Sequence, residues 1–118
     1  MGHERIGLYS KKGIICWSGN DDEAHDSRWN HGGHGVISVA SNVLPGPMKK
    51  IMYEKNPELN AKLAPFMKWL FLEPNPIGLN TMFAMTGMAL PVFRSPYFPY
   101  DKEKREQGVS LLEAFAAD

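Results

Sequence analysis

Two short apolar runs constrain this chain more than any other feature. "GIICWSG" at residues 13–19 and "GVISVAS" at residues 35–41 are nearly continuous and begin at glycine. That is the pattern of strands covered on both faces of a parallel sheet. The second begins about 22 residues after the first, which leaves room for a helix and a right-handed crossover between parallel neighbours. The intervening "NDDEAHDSRWNHGG" reads as that helix. Asn20 takes the N-cap, with Glu23 three positions on to complete a capping box. Asp21, Asp22 and Glu23 fill the first turn, where the macrodipole favours negative charge. Gly32 and Gly33 supply the left-handed conformation that closes a helix near His31.

Beyond the second run, a helix is predicted over Met48–Glu54, with Met48, Ile51 and Met52 on one side. From Asn56 the pattern changes to helices alone. Asn56 caps and Pro57 opens a long helix in which Leu59, Leu63, Phe66, Met67, Leu70 and Phe71 form one stripe, with a kink predicted at Pro65. Apolar residues at this spacing are read as core in preference to a partner-binding face. In "EPNPI", Asn75 caps and Pro76 starts a further helix that runs to Thr86 and stops at Gly87. "LPVFRSPYFPY" carries three prolines and reads as an extended connection pinned by Phe93, Tyr97 and Phe98. Asp101 caps a last helix with Leu112 and Phe115 inward. The boundary at Asn56 divides the chain into a strand–helix segment, 1–55, and a helical segment, 56–118.

Thirteen basic residues balance thirteen acidic ones, so no net positive field draws the chain to nucleic acid or an anionic membrane. Cys16 is the single cysteine; an internal disulfide and a cysteine-rich zinc site are excluded, and within an apolar strand it reads as a structural thiol. No apolar stretch has the length of a membrane span and the N-terminus lacks a signal-peptide core, so the chain reads as soluble. Asp21 or Asp22 with His25 offers two metal positions on one helix face. A tetrahedral site needs a third ligand, and His31 or His34 would have to fold back to supply it. Helix capping explains the acids without an ion, so no metal is assigned. "GGHGVIS" imitates a phosphate loop, but its glycines end a helix and enter a strand, the reverse of a phosphate cradle. No GxSxG elbow is present. Trp17 and Trp29 bracket one helix and read as packing.

At "WSGNDD", "GVISVASNVLP", "EPNPI" and "PVFRSPY" the chain resembles the C-terminal part of the dihydrodipicolinate synthase (4-hydroxy-tetrahydrodipicolinate synthase) family, across essentially its full length. The tryptophan before "SGNDD", "SRW" at Ser27–Trp29 and "LNTMFAMTG" at Leu79–Gly87 resemble the plant branch. The resemblance implies an α/β fold, the last two βα units of a TIM (βα)8 barrel followed by an α-helical subdomain. It implies a lyase of lysine biosynthesis that binds pyruvate as a Schiff base on a barrel lysine and condenses it with aspartate semialdehyde, without a cofactor. By the same resemblance Ile37 matches a pyruvate-contacting residue and Gly19 a glycine lining the site, both where a barrel collects ligands at the carboxyl ends of its strands. The Schiff-base lysine and the proton-relay residues belong to the region upstream. None of the nine lysines here is read as a substitute: Lys11 and Lys12 precede a strand and the others fall on helices or their ends, whereas such a nucleophile needs a desolvated pocket, so no catalytic residue is assigned and the chain alone is expected to be inactive. A homotetramer and a chloroplast location are further implications, although no transit peptide is present. The alternatives are a non-catalytic protein that associates with intact synthase subunits, and a segment of another pyruvate-dependent lyase such as N-acetylneuraminate lyase.

Overall fold

The computed structural model of the chain describes residues 2–116. They form two compact units, the first running to Ala64 and the second starting at Pro65.

The first unit contains α1 (Gly2–Ser10), β1 (Trp17–Ser18), α2 (Asp21–Asn30), β2 (Gly35–Val36), a 3-10 turn at Ala40–Asn42, α3 (Pro45–Tyr53) and the first turns of α4 (Pro57–Leu70). The strands pair in parallel as expected, Trp17 opposite Gly35 and Ser18 opposite Val36. Flanking bonds extend the ladder: the His34 N–H donates to the Cys16 carbonyl at 2.8 Å and the Ile37 N–H to the Ser18 carbonyl at 2.9 Å. Both strands are shorter than their apolar runs, and the predicted cover on both faces is absent. Ile15 is 67% exposed, Trp17 58% and Ile37 70%. Strand geometry persists only where a ladder holds it, and among the described residues the sheet has two strands. Gly35 is required by its partner: a side chain there would run into the Trp17 indole.

Asn20 has the extended backbone of an N-cap (φ −127°, ψ 131°) but makes no side-chain cap bond. The predicted capping box does not form because Ser18 Oγ takes the Asn20 N–H at 3.2 Å, leaving Glu23 only a 3.5 Å contact with the Asn20 side chain. At the other end Gly32 alone adopts the left-handed conformation (φ +72°). Helix α1 was not anticipated: "GHERIGLYS" has two glycines and no apolar stripe, so little local propensity supports it. It packs on α2. The Ser10 hydroxyl donates to the Gly32 carbonyl at 2.8 Å. Helix α3 starts at Pro45 rather than Met48, because proline at the first position is preorganised for the turn. Asn56 caps α4 as read, its side-chain carbonyl accepting the Leu59 N–H at 3.0 Å.

The second unit holds the remainder of α4, which continues through Pro65, with α5 (Ile77–Met85) and α6 (Lys102–Ala116). Trp69 organises it, and the sequence stripe had placed Phe71 there instead. Trp69 is 1% exposed and Phe71 45%. The Trp69 Nε1–H donates to the Lys104 carbonyl at 2.6 Å; its ring meets Tyr100 edge-on at 4.9 Å and stacks on Phe66 at 6.2 Å. Gly108 faces the same indole, which occupies the space a side chain would need. The connection after α5 is therefore pinned by Tyr100. The predicted anchors lie outside: Phe98 and Tyr97 are exposed and Phe93 is half-covered. Tyr100 donates its hydroxyl to the Trp69 carbonyl at 2.7 Å and its N–H to Thr81 Oγ1 at 3.1 Å. Asn75 is not a cap; Pro76 holds that position and α5 begins one residue later than predicted. Gly87 (φ +74°) closes α5 as read, and Asp101 caps α6 through the Lys104 N–H at 2.9 Å. Leu112 and Phe115 are half-buried. Among the described residues no helix is long and apolar enough to cross a membrane.

Candidate functional site at the carboxyl ends of the parallel strands

Parallel pairing sets both strand ends on the same edge, so the residues that follow β1 and β2 become neighbours. Gly19 follows β1 directly and Ile37 follows β2. A Cβ at Gly19 would meet nothing within 4 Å, and the Ile37 side chain projects away from the unit's core. A cavity of about 480 Å³ opens nearby, lined by Trp17, Gly35, Val36, Met48, Met52 and Tyr53 among others; Gly19 and Ile37 are not part of it.

Asp21 fixes the geometry of this edge. Its Oδ2 accepts the backbone N–H of Val39 at 2.9 Å and of Ala40 at 3.0 Å, and the residue is 1% exposed. Its place in the first turn predicts only a favourable interaction with the helix dipole. Instead a buried carboxylate clamps the chain that leaves β2, through charge-assisted bonds. No sequence pattern pairs Asp21 with Val39; the only signal is an acid next to the end of a strand.

His25 faces the backbone rather than Asp21. It is buried, and its Nε2 accepts the Asn56 N–H at 3.0 Å. Burial holds its pKa below the usual 6.5, opposed by the Asp26 charge and aided by Lys55. A base whose folded pKa is depressed stabilises the fold fully above 6.5, and that contribution is lost as pH falls below it, until the folded-state pKa is passed. Urea unfolding should therefore show stability dropping as pH falls from 7.5 to 5.5. The drop should shrink in His25→Gln, whose side-chain carbonyl can still accept the Asn56 N–H but does not titrate. An unchanged pH slope in the variant would refute this role.

The Lys104 ammonium donates to Glu73 Oε1 at 2.9 Å, and that hydrogen bond is the chief reason its pKa is raised, the opposite of what an amine nucleophile requires.

The Dihydrodipicolinate synthetase family model matches residues 2–115. The chain belongs to the dihydrodipicolinate synthetase family. Chloroplastic 4-hydroxy-tetrahydrodipicolinate synthase 2 of Triticum aestivum is 57% identical over 119 residues, covering 100% of this chain and 32% of the relative. The chloroplastic synthase 1 of Arabidopsis thaliana is 57% identical over 114 residues, covering 96% of this chain and 31% of the relative. Among solved structures, the dihydrodipicolinate synthase of Thermotoga maritima superimposes with a TM-score of 0.81 at 31% identity, over 95% of this chain and 42% of that one. The chain thus spans about a third of the length of the plant family members it matches. The plant-branch resemblance read from "WSGNDD" and "LNTMFAMTG" agrees with these identities.

Proposed function

We propose that the chain is the C-terminal part of a 4-hydroxy-tetrahydrodipicolinate synthase. In this reading residues 1–55 supply the last two strand–helix units of a (βα)8 barrel and residues 56–118 the helical subdomain. The observation that carries it is the alignment itself, which runs end to end on this chain and over only about a third of each plant synthase. The uncovered sheet supports it: Ile14, Ile15, Trp17 and Ile37 are exposed, as expected of strands whose neighbours belong to the rest of a closed barrel. The complete enzyme would join pyruvate to aspartate semialdehyde through a lysine Schiff base on the preceding part of the barrel. Here Ile37 would contact pyruvate and Gly19 would form pocket wall, open because it carries no side chain. A homotetrameric assembly and a chloroplast location are proposed on the same family grounds.

A chimera tests this. The 118 residues should replace the matching segment of the wheat synthase and preserve its condensation activity, whereas the isolated chain treated with pyruvate and borohydride should gain no lysine-linked mass. A folded but inactive chimera would overturn the reading, as would a stoichiometric adduct on any lysine of the isolated chain.

A further inference from the structure

The fold gathers three metal-ligating side chains that the sequence keeps apart. His3 on α1, Asp26 on α2 and His31 at the C-cap of α2 each direct one ligand atom to a common point, all within 4.8 Å of one another. Asp26 Oδ2 is the hub, 3.1 Å from His31 Nε2 and 3.4 Å from His3 Nε2. The two imidazole rings lie 4.9 Å apart, tilted by 56°. We propose that His3, Asp26 and His31 form a binding site for a divalent ion of the zinc class, pinning α1 to α2.

Bond lengths of about 2.0–2.2 Å in a tetrahedral zinc site put ligand atoms about 3.4 Å apart. The two histidine–aspartate separations are close to that value. The surroundings supply what a metal site needs beyond its ligands. Asn30 donates to Asp26 Oδ1 at 2.6 Å, which orients the carboxylate and leaves Oδ2 turned to the histidines. That hydrogen bond is also the leading reason the Asp26 carboxyl stays ionised below its usual range. His3 Nδ1 is a buried atom with no hydrogen-bond partner, and Glu23 Oε1 lies 3.7 Å from it. A small rotation lets Glu23 accept the Nδ1 proton and present the Nε2 lone pair to the ion. Two imidazoles and one carboxylate suit zinc or cobalt over calcium or magnesium, whose ligands are all oxygens. Three protein ligands leave a fourth position for water, consistent with the partial exposure of all three residues.

The alternative without a metal has both Nε2–H groups donating to Asp26 Oδ2. Zinc chloride and cobalt chloride, titrated separately into the full chain and followed by calorimetry and by the visible bands of four-coordinate cobalt, separate the two. One ion per chain is expected, with a rise in melting temperature. His3→Asn and His31→Asn should each weaken binding by about 100-fold or more, beyond the tenfold to 100-fold typical of losing an outer partner. Asn30→Ala should fall in that outer-partner range, and His34→Asn should change nothing. Circular dichroism establishes that each variant is folded. Absence of one-to-one binding, or binding that survives both histidine substitutions, overturns the site. The site does not depend on the synthase assignment, since its readout is metal occupancy rather than condensation.

Discussion

Trp69→Ala is expected to destabilise the helical unit by about 3–5 kcal/mol, the range for removing a fully buried large aromatic side chain. Three contributions add at this residue. The indole is 1% exposed, so its whole transfer free energy is at stake. Its neighbours cannot close the gap: Gly108 has no side chain to offer, and Tyr100 is held by hydrogen bonds to the Trp69 carbonyl and Thr81. Lastly, the Lys104 carbonyl loses the indole N–H at 2.6 Å. Domain stabilities of about 5–15 kcal/mol make this a large fraction of the total. Urea unfolding followed by tyrosine fluorescence and helical circular dichroism measures it. Trp69→Phe should lose less, because it keeps an aromatic ring against Phe66 and Tyr100 and forfeits the N–H and part of the indole's volume. A loss below about 1 kcal/mol for the alanine variant would mean that Trp69 is not the organising residue of this core.

Several structural decisions that rested on neighbours within a few residues were legible in the sequence. The Asn56 cap with Pro57 behind it, the Asp101 cap, and the stops at Gly32 and Gly87 all depend on one turn of backbone, and the structure has each of them. The parallel strand pair was legible because two apolar runs at helix-plus-loop spacing admit few topologies. Decisions made by distant partners were not legible. Whether Tyr100 or Phe98 anchors the last connection depends on where Trp69 points, 31 residues from Tyr100. Helix α1 exists through α2 rather than through its own propensity. Local decisions were missed where two local groups competed: Ser18, two residues before Asn20, pre-empted the capping box with its hydroxyl. At the candidate site the identities of Gly19 and Ile37 came from family resemblance, while the residue that shapes their edge, Asp21, was misread. The His3, Asp26 and His31 cluster was not legible for the same reason: spacing along one helix pairs His25 with Asp21 or Asp22, whereas His3 reaches Asp26 and His31 from α1, a helix with little propensity of its own.

Asp21→Ala should cost about 2–5 kcal/mol and release the chain after β2. The native carboxylate satisfies the Val39 and Ala40 N–H groups with one oxygen. Hydrogen bonds to a charged group contribute about 1.5–3 kcal/mol each, and an unsatisfied buried donor costs about 1–3 kcal/mol. Part of this is offset because the other carboxylate oxygen, Oδ1, is buried without a partner, so the native side chain carries a desolvation penalty of its own. Asp21→Asn separates charge from shape: its amide carbonyl can accept the same two N–H groups without the charge, and an intermediate loss is expected. Hydrogen exchange gives the local readout. The Val39 and Ala40 amides should be strongly protected in the parent, exchange fastest in the alanine variant and fall between in the asparagine variant, while the Trp69 indole proton in the other unit stays unchanged. Protection at Val39 and Ala40 that persists in Asp21→Ala would show that the 3-10 turn holds itself. The position of Ile37, two residues before Val39, would then be set by its own ladder bond to the Ser18 carbonyl, without help from the carboxylate.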